Sequence, residues 1–194
     1  RSSDLQLFVE STIWGEDPEG EGWTLPTRWE VRVFDPERFD AVPVREQNYR
    51  DPGIGMVVPT RRGLLARASR PDITDPGGFR WLDPETLDLS EPGPPVPPGL
   101  VLSEFDVSET ESGLVIAAVF NAVGQWVGNV ETYVARLTDR RTLQSPWRRI
   151  SPDDTASSSG VEIVAQGDRW LASWLDYSPQ LAPQFAPRAR CGER

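Results

Sequence analysis

A chain of 194 residues with 38% hydrophobic side chains is long enough for one domain with a proper core, and its net charge of -10 argues against a nucleic-acid-binding surface. It has no His and, because all 20 basic residues are Arg, no Lys; this removes Ser-His-Asp and Cys-His nucleophilic sites, His-ligated zinc, Schiff-base lysines and a Walker-A loop from the chain's own chemistry. The 16 Gly and 19 Pro imply many turns rather than long helices, and no apolar run approaches the roughly 18 residues of a membrane span.

In chain order, residues 4–10 (Asp-Leu-Gln-Leu-Phe-Val-Glu) read as a strand. An acidic loop follows over 12–28, carrying Trp14, Glu16, Asp17, Glu19, Glu21 and Trp23. Its Asp17-Pro-Glu-Gly-Glu-Gly22 lacks the Asp/Asn alternation and distal Glu of a calcium loop, so it reads as solvated and no metal is expected. Residues 29–35 form the next strand, 35–40 a turn and 41–45 an outer strand, where Pro43 is tolerable because one edge is free.

Residues 55–58 open a second set. A turn at 59–62 leads into Gly63-Leu-Leu-Ala-Arg-Ala68, and the loop 70–78 carries Asp72 and Asp75. The strand 79–83 then runs into Asp83-Pro-Glu-Thr-Leu-Asp88, a close copy of Asp35-Pro-Glu-Arg-Phe-Asp40; Asp first and Pro second favour a type I turn. The outer strand here falls in the Pro-rich run 91–98 and is expected to be missing.

The third set is the clearest. Strand 105–108, a turn, and Gly113-Leu-Val-Ile-Ala-Ala-Val-Phe120 are followed by a loop with Asn121, Trp126 and Asn129. The strand 113–120 is apolar throughout, as expected when both faces are covered. Residues 130–137 alternate, and 147–150 form the outer strand. In the fourth set, strand 162–165 and turn 166–169 precede Trp170-Leu-Ala-Ser-Trp-Leu175. Asp176 and Tyr177 then open the loop to a strand at 185–190. The run 157–159 reads as a loop, and the paired arginines at 61–62, 140–141 and 148–149 read as edge protection. Cys191 is the one cysteine; it forms no internal disulfide and is either an unpaired thiol or bridged to a chain outside this sequence.

Aligning Gly63, Gly113 and Trp170 gives spacings of about 50 residues, the span of a four-stranded blade. The expected fold is all-β, with four-stranded antiparallel blade repeats over about 4–46, 53–97, 100–151 and 160–194. Sets of three, four, four and three strands make an incomplete ring within a single propeller-like domain. Residues 170–176 (Trp-Leu-Ala-Ser-Trp-Leu-Asp) and 130–139 resemble, with one extra residue in each, the apolar-Ala-Trp-x-Asp and Arg-Leu-Asp pattern of bacterial β-propeller repeats. WD40, sialidase and kelch marks are absent.

In propellers the loops between the second and third strands share the face with the ligand. By that analogy Trp14, Trp23, Asp72, Asp75, Trp126, Asn129, Asp176 and Tyr177 are the candidate ligand-binding residues. Aromatic faces beside carboxylates and amides suit carbohydrate. Trp81, Trp170 and Trp174 are expected in the core instead, with Leu65, Val115, Ile116, Val119, Ile163 and Leu171. The residues predict a non-catalytic, secreted, periplasmic or cell-surface binding or scaffold module without cofactor, and no nucleic-acid partner. Strand 4–10 is too apolar to leave an open inner edge, so a protein partner or further part of the same protein is expected to complete the ring. The alternative is a carbohydrate-active hydrolase using Asp72, Asp75 or Asp176 as acid and base.

Overall fold

The computed structural model describes residues 7–14, 26–34, 43, 45–49, 53–69, 78–123, 130–138, 142–152, 154, 156–178 and 184–192. Among these the regular structure is all strand, in four antiparallel sheets. The strands are β1 (Leu7–Trp14), β2 (Pro26–Phe34) and β3 (Arg45–Tyr49); β4 (Gly53–Thr60), β5 (Gly63–Ser69), β6 (Gly78–Leu82) and β7 (Leu89–Pro92); β8 (Leu100–Glu109), β9 (Leu114–Ala122), β10 (Glu131–Leu137) and β11 (Leu143–Arg149); and β12 (Ser157–Gln166), β13 (Arg169–Ser178) and β14 (Gln184–Gly192). Each sheet takes its strands in sequence order, three, four, four and three. That is the expected sequence of sets.

The chain divides into two compact units, 1–75 with 80–91, and 76–79 with 92–194. In the first unit Val31, Val33 and Tyr49 pack on Ile54, Leu64, Ala66, Ala68, Leu82 and Leu87. The other face of the β1–β3 sheet is charged: Arg32 pairs with Glu30 at 2.6 Å and with Glu46 at 3.2 Å. Two outer strands differ from expectation. The first is the polar Arg45–Tyr49 segment, where buried Tyr49 packs in this core and its hydroxyl donates to the Leu87 carbonyl; of the expected 41–45, positions 41, 42 and 44 lie outside the described residues. The second is present as β7, at the start of the Pro-rich run rather than inside it. Between β6 and β7 the Asp83 carboxylate accepts the Glu85 and Thr86 amides at 2.7 and 3.0 Å, and Leu87 takes a positive φ of 63°. This is the side-chain-capped turn that Asp-Pro favours. The copy at 35–40 lies outside the described residues. Among the described residues β2 is the one strand hydrogen-bonded to β1.

In the second unit the β8–β11 and β12–β14 sheets stack face to face. Val115, Ala117, Val119 and Val134 meet Val161, Ile163, Trp170, Ala172 and Trp174. The opposite face of β8–β11 holds an aromatic cluster: Phe79 sits edge-on to Phe105 at 5.1 Å and parallel to Trp147 at 5.9 Å, and Phe120 meets Trp147 and Tyr133 edge-on. Gly113 is required at its turn, because a Cβ there would collide with the Leu137 carbonyl oxygen.

Hairpin geometry fixes how the repeats align. Thr60 pairs with Gly63, the Thr110 amide donates to the Gly113 carbonyl, and Gln166 pairs with Arg169. Arg169, not Trp170, is therefore the counterpart of Gly63 and Gly113. A slip of one residue exchanges the faces of a strand. In the corrected register Leu64, Ala66 and Ala68 match Leu114, Ile116 and Ala118, which match Trp170, Ala172 and Trp174; all nine are buried. Leu65 and Val115 match Leu171. Leu65 and Val115 are fully buried, whereas Leu171, expected in the core, is 47% exposed. The remaining predicted core positions, Ile116, Val119, Ile163 and Trp174, are buried.

Candidate functional site

The alternation that built the third sheet also builds its polar site. Glu131 opens β10 beside the 121–129 connection, on the face of Phe120 and Tyr133. Its carboxylate accepts the Arg149 guanidinium on one oxygen and the Ser151 hydroxyl on the other. Ser151 in turn accepts the Thr132 amide at 3.0 Å. Burial pushes the Glu131 carboxyl above the usual carboxylate range; Ser151 and Arg149 pull the other way. Arg149 therefore holds a buried carboxylate, and Arg148 stacks over Trp170 at 6.0 Å. That corrects the reading of this pair as edge protection.

The second site lies on the last sheet. Asp176 is buried on β13 and accepts the Trp174 indole N–H at 2.8 Å, the Ser158 hydroxyl at 3.2 Å and the Arg188 guanidinium at 3.0 Å. Ser157–Ser159 are strand, not loop, because Ser158 pairs with Asp176 across the sheet and its amide donates to the Val130 carbonyl. Both carboxylates thus use their oxygens on local donors, Asp176 on its own sheet and Glu131 on β11 and the segment that follows it. Glu131 shares the face turned away from β12–β14; Asp176 shares the face of Ala172 and Trp174, turned toward β8–β11. The register places the third sheet between them.

An open cleft of about 350 Å³ lies between β10–β11 and Trp170. Arg136 and Arg148 reach it from β10 and β11. Buried Arg136 donates to the Asp168 carbonyl at 2.5 Å, which ties the third sheet to the β12–β13 turn. Among the described residues no group of His, Cys, Asp and Glu could hold a metal ion. None forms a helix long and apolar enough to cross a membrane.

The third feature is a surface. Val164, Leu171 and Leu175 are 63%, 47% and 39% exposed and share one face of the β12–β14 sheet. Pro187, Ala189 and Cys191 pair with Leu175, Ser173 and Leu171 on β14 and are exposed on the same face. The Cys191 thiol is free. These are three neighbouring large apolar side chains left open on one sheet, a grouping distinct from a singly exposed leucine.

Of the candidate ligand residues, Asp176 is a buried structural acceptor and Tyr177 is half-buried at the end of β13. Trp14 ends β1, and its side chain lies outside the described residues. Trp23, Asp72, Asp75, Trp126 and Asn129 lie outside them altogether. The Glu131–Arg149–Ser151 cluster had no linear signal, because its members come from two strands and the segment after them. The chain matches no known family model, no curated protein and no solved structure.

Proposed function

We propose that the chain is a non-catalytic, extracytoplasmic binding or scaffold module built of β-propeller blades, and that it works as part of a larger protein or assembly. The observation that carries this reading is the open apolar face at Val164, Leu171 and Leu175. Sheets of three to four antiparallel strands in sequence order, with one hairpin register repeated three times, support the blade architecture. The acid-base inventory supports a non-catalytic role: each of the described buried carboxylates, Glu30, Glu131 and Asp176, is paired with an arginine of its own sheet, and a sheet separates Glu131 from Asp176. The carbohydrate component of the reading rests on Trp14, Trp23, Trp126 and the acidic loops.

The test is turnover and binding by the whole chain. Chromogenic glycosides should not be hydrolysed. Hydrolysis that disappears in Asp176→Asn would support a carbohydrate-active hydrolase instead. Fractionation of the producing cells should place the protein outside the cytoplasm; a cytoplasmic pool alone would overturn that part.

A further inference from the structure

The β8–β11 sheet shows what its kind of outward face is for. Its Val115, Ala117 and Val119 are fully covered by the β12–β14 sheet. Its edge strand also addresses the next strand through side chains. Glu104 accepts the Gly160 amide at 2.7 Å, Asp106 the Ile163 amide at 2.8 Å and Ser108 the Ala165 amide at 2.8 Å. Those amides face away from β13's ladder, so the three side chains satisfy main-chain donors that an open edge would leave to water.

In the corrected register Val115, Ala117 and Val119 become Leu171, Ser173 and Leu175 on the last sheet, and Asp106 becomes Glu162. The face keeps large apolar side chains at Leu171 and Leu175, with Ser173 where Ala117 stands and Val164 where Ser108 stands, and the acceptor Asp106 persists as an exposed carboxylate, Glu162.

We infer that the Val164–Leu171–Leu175 face docks a blade-type antiparallel β-sheet of a partner protein, whose innermost strand donates a main-chain N–H to Glu162. This rests on the scaffold reading and names its partner's chemistry. A second copy of this chain is a poor occupant. Pairing like face with like face brings two copies of Glu162 into one interface under a net charge of -10 per chain. Pairing with the charged face of the β1–β3 sheet would bury the part-exposed Arg32 and Glu46 against leucines. A sheet with an apolar face and free strand amides meets both requirements, as β12–β14 does for β8–β11.

The probe is a copy of residues 152–194 joined after Arg194 of the whole chain, with Cys191→Ser in the copy. The native Cys191 is then the only thiol, and it lies on the face in question. The native thiol should react with a disulfide reagent at least about tenfold more slowly than in the unextended chain, as protection by a docked layer implies. Leu171→Asp in the native sheet should restore the fast reaction. Hydrogen exchange should show the copy's strand amides protected. An unchanged thiol rate overturns the inference, whether the copy is folded or remains unprotected. Self-association of the unextended chain that Leu171→Asp abolishes would make a second copy the occupant and also overturn it. Glycoside turnover by the unextended chain would instead sink the scaffold reading, a separate readout.

Discussion

The β8–β11 and β12–β14 sheets start from one pattern and end in different surroundings. Both bury one apolar face, Leu114, Ile116 and Ala118 in one and Trp170, Ala172 and Trp174 in the other. Their other faces also correspond, yet Val115 is fully buried and Leu171 is 47% exposed. Local sequence sets which side chains share a face; whether that face is core depends on a neighbouring layer. The difference teaches that the same apolar pattern becomes core or surface according to whether another layer stacks on it.

The sharpest break in this comparison comes from the covered sheet. Ile116→Ala should cost roughly 2–5 kcal/mol in a denaturant titration, because the site is fully enclosed and the cavity has nowhere to collapse. A loss well below that range would remove the third sheet from the core. Next comes the contact between the sheets. Asp106→Ala leaves the Ile163 amide without its acceptor and should cost about 1–3 kcal/mol, with faster hydrogen exchange at Ile163 itself. Unchanged exchange there would mean that the edge is covered by something other than side chains.

Glu131 gives the smaller effect, as a pH slope. Its folded-state affinity for a proton is raised by burial, so the folded chain holds more protons than the unfolded one above the ordinary carboxylate range of about pH 4. The group's favourable contribution is fully present below that range and is lost as pH rises through its raised value. Glu131→Gln should flatten that decline in stability measured against pH. An unaltered slope would assign the titration to other carboxylates.

How far the sequence can be read depends on what each feature needs. Strand sets are legible from β-branched and aromatic runs between Gly, Pro and Asp turns, as in residues 113–120 and the Asp83 turn. Outer strands are less so. Arg-Glu-Gln-Asn-Tyr has no strand signal of its own and is recruited by Tyr49 packing on Leu87. Register in the last repeat is misread from residue type alone, because matching Leu171 to Leu114 looks the better fit. The two-residue turn at Gly167, with a φ of 58°, decides otherwise, and that one-residue slip puts Leu171 on the wrong face. The carboxylate sites are opaque in the same way. Asp176 reads as a loop residue beside Tyr177, yet donors from Trp174, Ser158 and Arg188 draw it inside. Asp72 and Asp75 lie outside the described residues.

The direct test of the account is a matched pair of charge insertions at equivalent positions, Val115→Asp and Leu171→Asp, each measured by equilibrium unfolding of the whole chain. An unpaired carboxylate placed in the covered face should be among the most destabilising substitutions, above about 4 kcal/mol, while the same change on the open face should stay within about 0.5 kcal/mol. Equal and large losses at both positions would contradict it, because the chain itself would then be covering the face that stands open.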